Sequence, residues 1–197
     1  MSQTEGYIKF RAHWNDKAFP MDKALITEIN TVRSKLMTKN WMGVLPDGIG
    51  FGNISVRFRN SNQFIITGSA TGGLAHLQAE IFALIEKYDI PGNQLWCIGQ
   101  TIASSESLTH AAIYQSNQEI QAVLHIHSKN LWKKYMNKLP TSSQKAAYGT
   151  PEIANSIISL FKNRKQNSGV FIMGGHEEGL IAFGNNLYQV FELLNQL

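Results

Sequence analysis

The chain has 197 residues, of which 43% are hydrophobic and 16% charged, with a formal net charge of +4. That length suits one domain with a sizeable core, spanning residues 1–197, and the composition is that of an ordinary globular protein. The basic residues form no stripe with interleaved aromatics, which argues against nucleic acid as a partner. No apolar run approaches a membrane span, and the single cysteine, Cys97, excludes an intrachain disulfide. The opening MSQTEGYIKFRAHW lacks the apolar segment of a signal peptide, so a cytoplasmic, membrane-free protein is expected. The mild basicity suits an anionic substrate such as a phosphate ester.

In chain order, Tyr7 to Trp14 alternates weakly, as an edge strand does. Asp22 to Asn40 carries Leu25, Ile26, Ile29, Val32 and Leu36 at helical spacing, and the glycines between Gly43 and Gly50 must follow that helix rather than belong to it. Ile54, Val56 and Phe58 alternate with polar residues as in a half-buried strand. The turn signal Asn60-Ser61-Asn62 then leads into a β-rich run from Gln63 to Thr67. Such a hairpin brings Asn53 and Thr67-Gly68 to one end of a sheet. There, glycine-turn amides and small hydroxyls could cradle a phosphate, or the glycines could simply serve tight turns. Ala79 to Ile90 reads either as a helix or as a strand entering a hairpin with QLWCI through Pro91-Gly92-Asn93.

Ser104 to Ser128 is the richest stretch. Leu108, Ala111, Ala112 and Tyr114 fall near one helical stripe, with Ser104 or Ser105 available as the N-cap. Ala122 to His127 is a short apolar run that reads as a buried strand. Side chains two apart on a strand share a face, so His125 and His127 point the same way. Beyond it come a short helix over 129–137, a polar loop over 140–148, and a helix opened by Pro151, with Thr150 as its cap, running to about Lys162. A polar connection over 162–168 precedes strands over 169–173 and 180–183 and a closing helix over 187–194.

Three histidines, His125, His127 and His176, lie at or just beyond strand ends. A catalytic zinc site uses three protein ligands and leaves a position for water or substrate, and Glu106 supplies a fourth ligand or a base. His110, four residues after Glu106, could support it by hydrogen bonding, although an ordinary packed helix histidine is the simpler reading. Glu177 and Glu178 follow His176, either beside a ligand or, more simply, in solvent. His13 and His76 have no constellation around them.

Taken in order, Gly52-Asn53-Ile54-Ser55, Thr67-Gly68-Ser69, Ser104-Ser105-Glu106, His110, Tyr114, His125-Ile126-His127-Ser128, Gly149-Thr150 and His176 form a specific set. It resembles the class II aldolase/adducin family, the group of fuculose-phosphate aldolase, ribulose-phosphate epimerase and methylthioribulose-phosphate dehydratase. The resemblance implies an α/β fold, a three-layer α/β/α sandwich with a largely antiparallel central sheet, often assembled as a homotetramer. It implies a divalent metal on His125, His127 and His176, usually zinc, with iron, manganese or cobalt as alternatives. It implies Glu106 as the acid/base carboxylate that also ligates the resting metal. The substrate's phosphate would lie against Asn53, Thr67, Gly68, Ser104 and Ser105. The implied activity is retro-aldol cleavage of a small phosphorylated ketose through a metal-stabilised enediolate. Dehydratase, 4-epimerase and non-catalytic adducin-like binding roles stand as alternatives. Glu106 favours the lyase over the epimerase branch, which tends to carry aspartate. The chain departs from the family in its Gly-His-Glu-Glu-Gly run, where members commonly have glycine directly after the third histidine. Tyr135 and Tyr148 lie in the region from which some aldolases draw a proton-donating tyrosine, and neither matches a motif.

Overall fold

The computed structural model describes residues 7–59, 61–162 and 166–197. Asn60 of the turn signal, and residues 163–165 of the polar connection, lie outside the described residues. Eight strands form the central sheet: β1 (Arg11–Asn15), β4 (Asn53–Arg57), β5 (Phe64–Thr67), β6 (Phe82–Asp89), β7 (Gln94–Ile98), β8 (Ala122–His127), β9 (Gly169–Ile172) and β10 (Gly179–Gly184). Their order is β1-β7-β6-β5-β4-β8-β10-β9, and β2 (Gly43–Val44) with β3 (Gly50–Phe51) makes a separate small hairpin. Every pairing in the large sheet is antiparallel except β1 with β7. The weak N-terminal strand is indeed at an edge, though it runs Arg11–Asn15.

Helices cover both faces, which explains why β8 is buried at all six positions and β4 reads as more than half-buried. On one side, α2 (Ser107–Ser116) and α4 (Pro151–Lys162) bring Leu108, Ala111, Ile113, Ile153, Ala154 and Ile157 onto Phe64, Ile66, Val123, Ile181 and Phe183. On the other, α1 (Lys23–Thr38) and α5 (Leu187–Asn195) bring Ile29, Val32, Leu36, Val190 and Phe191 onto Ile54, Ile65, Leu124, Ile126 and Leu180. Odd and even residues of each strand therefore enter different cores. Each large aliphatic side chain buried in this way contributes about 1.5–3 kcal/mol. The alternation expected of β4 is present, but its polar face, Asn53, Ser55 and Arg57, lies under α2 rather than in water.

α1 starts where Asp22 accepts a hydrogen bond from Ala24 N at 2.9 Å. It ends before Asn40, whose φ of +54° no helix continues. Ala79–Ile90 resolves as a 3₁₀ turn followed by β6, because the segment pairs with β5 on one side and β7 on the other. A short α3 (Lys129–Tyr135) follows β8, capped by Ser128. No helix among the described residues is long and apolar enough to cross a membrane. The start of β4, the end of β5, the end of β8, the start of β10 and the N-terminus of α2 all come to one end of the sheet.

Candidate metal centre

His125 and His127 share the α2 face of β8, as period-two alternation requires. The loop between β9 and β10 delivers His176 opposite them. His125 Nε2 lies 3.1 Å from His127 Nε2, which lies 3.1 Å from His176 Nε2. The candidate ligand atoms all fall within 4.8 Å of one another. Glu106 Oε1 is 3.8 Å from His176 Nε2, with the carboxylate wholly buried. The third histidine is held by a tight turn in which Met173 N donates to Gly179 O at 3.0 Å and Gly179 N to His176 O at 3.0 Å. A Cβ on Gly179 would stand 2.7 Å from His176 Cδ2 and 3.2 Å from His125 Cε1, so only glycine lets both imidazoles close in.

The donor set fits a divalent cation. Burial lowers all three imidazole pKa values, His127 to about 4, and at His125 the neighbouring His127 and His176 push the same way. Neutral imidazoles keep a lone pair each. One ring proton on His127 Nε2 cannot serve both neighbours at 3.1 Å, whereas a shared cation satisfies all three nitrogens. His125 Nδ1 donates to Leu180 O at 3.1 Å, which directs Nε2 inward as the ligand atom.

The walls of the centre are aromatic. Phe51 lies 5.2 Å from the His127 ring and the buried Tyr148 lies 4.8 Å from the His176 ring. Lys9 Nζ lies 3.6 Å from the Tyr148 ring centroid and donates to Tyr148 O at 3.1 Å. Neither Lys9 nor Phe51 carries a sequence signal. Tyr135 is remote in role: its hydroxyl donates to Leu197 O at 2.6 Å.

The five residues expected to face phosphate come together. Asn53 stands opposite His125 in the ladder, Thr67 Oγ1 accepts from Ile54 N at 3.3 Å, and a β-bridge between Gly68 and Ala103 sets Thr67-Gly68 beside Ser104 and Ser105. Gly68 approaches so closely that a Cβ there would stand 2.5 Å from Thr101 Oγ1. Its amide donates to Ile81 O at 2.8 Å and that of Ser69 to Ile102 O at 3.0 Å, so these two amides are engaged within the fold.

The start of α2 differs from expectation. Neither Ser104 nor Ser105 is the N-cap of α2: Glu106 holds that position without a side-chain capping bond, and Ser104 Oγ instead accepts from Glu106 N at 3.3 Å. His110 does not hydrogen-bond Glu106 through its ring. Its Nδ1 lies 2.7 Å from Ser55 Oγ, in a buried polar cluster. Glu177 and Glu178 lie 3.9 and 3.8 Å from Lys129 Nζ, the first two-thirds exposed. Glu178, not the residue directly after His176, takes a positive φ of +68°. His13 stacks on Trp96 and lies 3.0 Å from Gln94 Oε1, on the edge pair β1–β7.

Arg33 was not anticipated. It is fully buried on α1 and donates to Leu74 O at 2.8 Å, Thr71 O at 2.8 Å, Gly72 O at 2.6 Å and Met42 Sδ at 2.9 Å. These bonds pin the loop that follows Thr67-Gly68. Burial lowers its guanidinium pKa to about 10, which leaves it charged.

Residues 41–197 match the model of the class II aldolase and adducin N-terminal domain. Among curated proteins, the chain is 26% identical over 168 residues to a 3-oxo-tetronate 4-phosphate decarboxylase of Haemophilus influenzae, covering 75% of this chain and 73% of that protein. Among solved structures it superposes on an L-fuculose 1-phosphate aldolase with TM-score 0.67 and 22% identity, covering 89% of this chain and 82% of that one. It also superposes on a sugar-phosphate aldolase from Thermotoga maritima with TM-score 0.66 and 16% identity, covering 88% and 90%. These structural likenesses carry the fold. With four-fifths of its length matched, the chain belongs to the class II aldolase and adducin N-terminal domain family.

Proposed function

We propose that this chain is a single-domain, cytoplasmic, metal-dependent lyase that cleaves a small phosphorylated ketose by retro-aldol chemistry and works as a homotetramer. The observation that carries the reading is the convergence of His125, His127 and His176, with Glu106 3.8 Å from the last. Those histidines would hold the cation, zinc before iron, manganese or cobalt, and Glu106 would join them at rest. A divalent cation held there supplies a Lewis acid beside the substrate's carbonyl and hydroxyl oxygens.

The chain's own groups do the rest. In the cleavage direction Glu106 takes up the proton that leaves the hydroxyl of the breaking bond, as general base, and then returns it as acid to the carbon that keeps the electron pair. Asn53, Thr67, Ser104 and Ser105 offer donors to the phosphate. Gly68 contributes close approach, since its amide already bonds Ile81. The net charge of +4 favours the anionic substrate.

Decarboxylation is a second reading, favoured by the curated relative's name. It also breaks a carbon–carbon bond next to a carbonyl and asks Glu106 to protonate the same kind of carbon. Metal-loaded protein incubated with ketose phosphates and a 3-oxo acid phosphate, followed by NMR, separates these cases. Aldehyde and ketone fragments identify an aldolase, and carbon dioxide release a decarboxylase. Loss of water or inversion at one carbon identifies the dehydratase or epimerase. A Glu106→Gln variant should retain metal and lose at least about a hundredfold in kcat. Elemental analysis should give about one divalent ion per chain, lost in His125→Ala. Protein that takes up no metal at all would refute the enzyme reading in favour of an adducin-like binding domain.

A further inference from the structure

Beneath the metal centre, a polar chain crosses the packing between α2 and β4. His110 Nδ1 lies 2.7 Å from Ser55 Oγ, which lies 2.8 Å from Tyr114 OH. All three side chains are wholly buried. Burial lowers the His110 pKa to about 3 and raises that of Tyr114, so the imidazole is neutral and the phenol keeps its proton. His110 Nε2 and Asn53 Oδ1 are among the buried side-chain atoms with no hydrogen-bond partner among the described residues.

The proton count orders the chain. The Arg57 guanidinium stands 4.8 Å from the Tyr114 ring and offers only donors. The phenol's hydrogen is therefore best placed on Ser55 Oγ, and Ser55 passes its own to His110 Nδ1. Nε2 must then carry the imidazole's hydrogen and face outward as a donor. The reverse order would strand the Tyr114 hydrogen without an acceptor. It would also leave Nε2 as a buried lone pair with no donor among the described residues, and both are costly in a dry interior.

Asn53 and Ser55 are two apart on β4 and share its α2 face, with Asn53 opposite His125 in the ladder. His110 lies one turn nearer the α2 N-terminus than Tyr114, and both reach Ser55, which sets the His110 ring on the side of Ser55 where β4 begins with Asn53. An asparagine amide can present either its oxygen or its NH₂ group to a ligand. An anion needs the NH₂ group, and a fixed donor on the oxygen is what enforces that choice.

We propose that His110 is a positioning residue, whose Nε2–H holds Asn53 Oδ1 through one buried water and so turns Asn53 Nδ2 toward the substrate's phosphate. This rests on reading Asn53 as a phosphate contact. Nitrogen-15 NMR of the full, zinc-loaded chain should show His110 protonated at Nε2 and bare at Nδ1, and a Nδ1–H tautomer overturns the proposal. His110→Phe keeps bulk and burial. It should shift the Asn53 side-chain amide signals, raise KM and the inhibition constant of inorganic phosphate about tenfold, and leave kcat and metal content nearly unchanged. Unmoved Asn53 signals overturn the proposal, as does unaltered phosphate inhibition where Asn53→Ala weakens it. Phosphate inhibition unaffected by Asn53→Ala would instead overturn the phosphate reading of Asn53, while the tautomer and the amide signals still decide the positioning. Should His110→Phe not fold, Ser55→Ala interrupts the same chain and should produce a mixture of His110 tautomers. A single unchanged Nε2–H tautomer in that variant counts against the ordering.

Discussion

Replacing Gly179 by alanine adds one methyl group at the first residue of β10, between two of the three imidazoles. The new Cβ would stand 2.7 Å from His176 Cδ2, 3.1 Å from His176 O and 3.2 Å from His125 Cε1. Ordinary contact begins at 3.4 Å, so the His176 ring must retreat by about 0.7 Å. Without metal that retreat is a modest side-chain adjustment, and unfolding free energy should change by less than about 1 kcal/mol, with the lower chain entropy of alanine offsetting part of the strain. With metal it is not modest, because zinc–nitrogen distances tolerate only about 0.2 Å. Divalent-metal affinity should fall about 10- to 100-fold, the range for disturbed ligand support. Competition against a chelator measures that affinity, and urea unfolding of the metal-free protein measures the stability. Affinity within about twofold of the unsubstituted chain would refute the argument that His125 and His176 close on one cation.

Arg33→Met strips the donors from the carbonyls of Thr71, Gly72 and Leu74 and should destabilise by about 3 kcal/mol in urea unfolding, with Arg33→Lys recovering part. A loss below about 1 kcal/mol would show that the loop is held by something else. Glu178 has φ +68°, and its partly exposed Lys129 contact at 3.8 Å is worth little, so Glu178→Gly should raise the melting temperature slightly, by relief of about 1 kcal/mol of strain, and a clear fall contradicts this. The metal-free chain should weaken in acid. The unfolded His110 binds a proton below about 6.5, whereas the native one resists until about 3, so its contribution is complete above the first value and lost as pH falls toward the second. The slope is at most about 1.4 kcal/mol per pH unit for each such group, and His127, lowered to about 4, adds in the same direction. Equal urea stability near about pH 7 and about pH 5 would refute it.

Much of the candidate site follows from local rules. Alternation along Ala122–His127 sets His125 and His127 on one face whatever the strand pairs with, and the apolar spacing of α1 and α5 makes each a helix with one buried stripe. The third histidine and the carboxylate were recognisable as chemistry by residue type, together with the ordered family landmarks around them. What local rules could not supply was neighbours. Ala79–Ile90 has both helical and strand periodicity, and its pairing with β5 and β7, distant in the chain, makes it β6. β4 looked half-solvated because its polar residues alternate correctly. α2 buries that face, which turns Ser55 and Arg57 from surface residues into the supports of His110 and Tyr114. Nothing in the local sequence around Arg33 marks it as buried, and only the return of the Thr71–Leu74 loop over α1 gives it acceptors. The physical reason is the same in each case. Periodicity is written into consecutive residues, whereas the partner of a buried polar group, and the face a sheet presents to a helix, depend on segments that folding alone brings together.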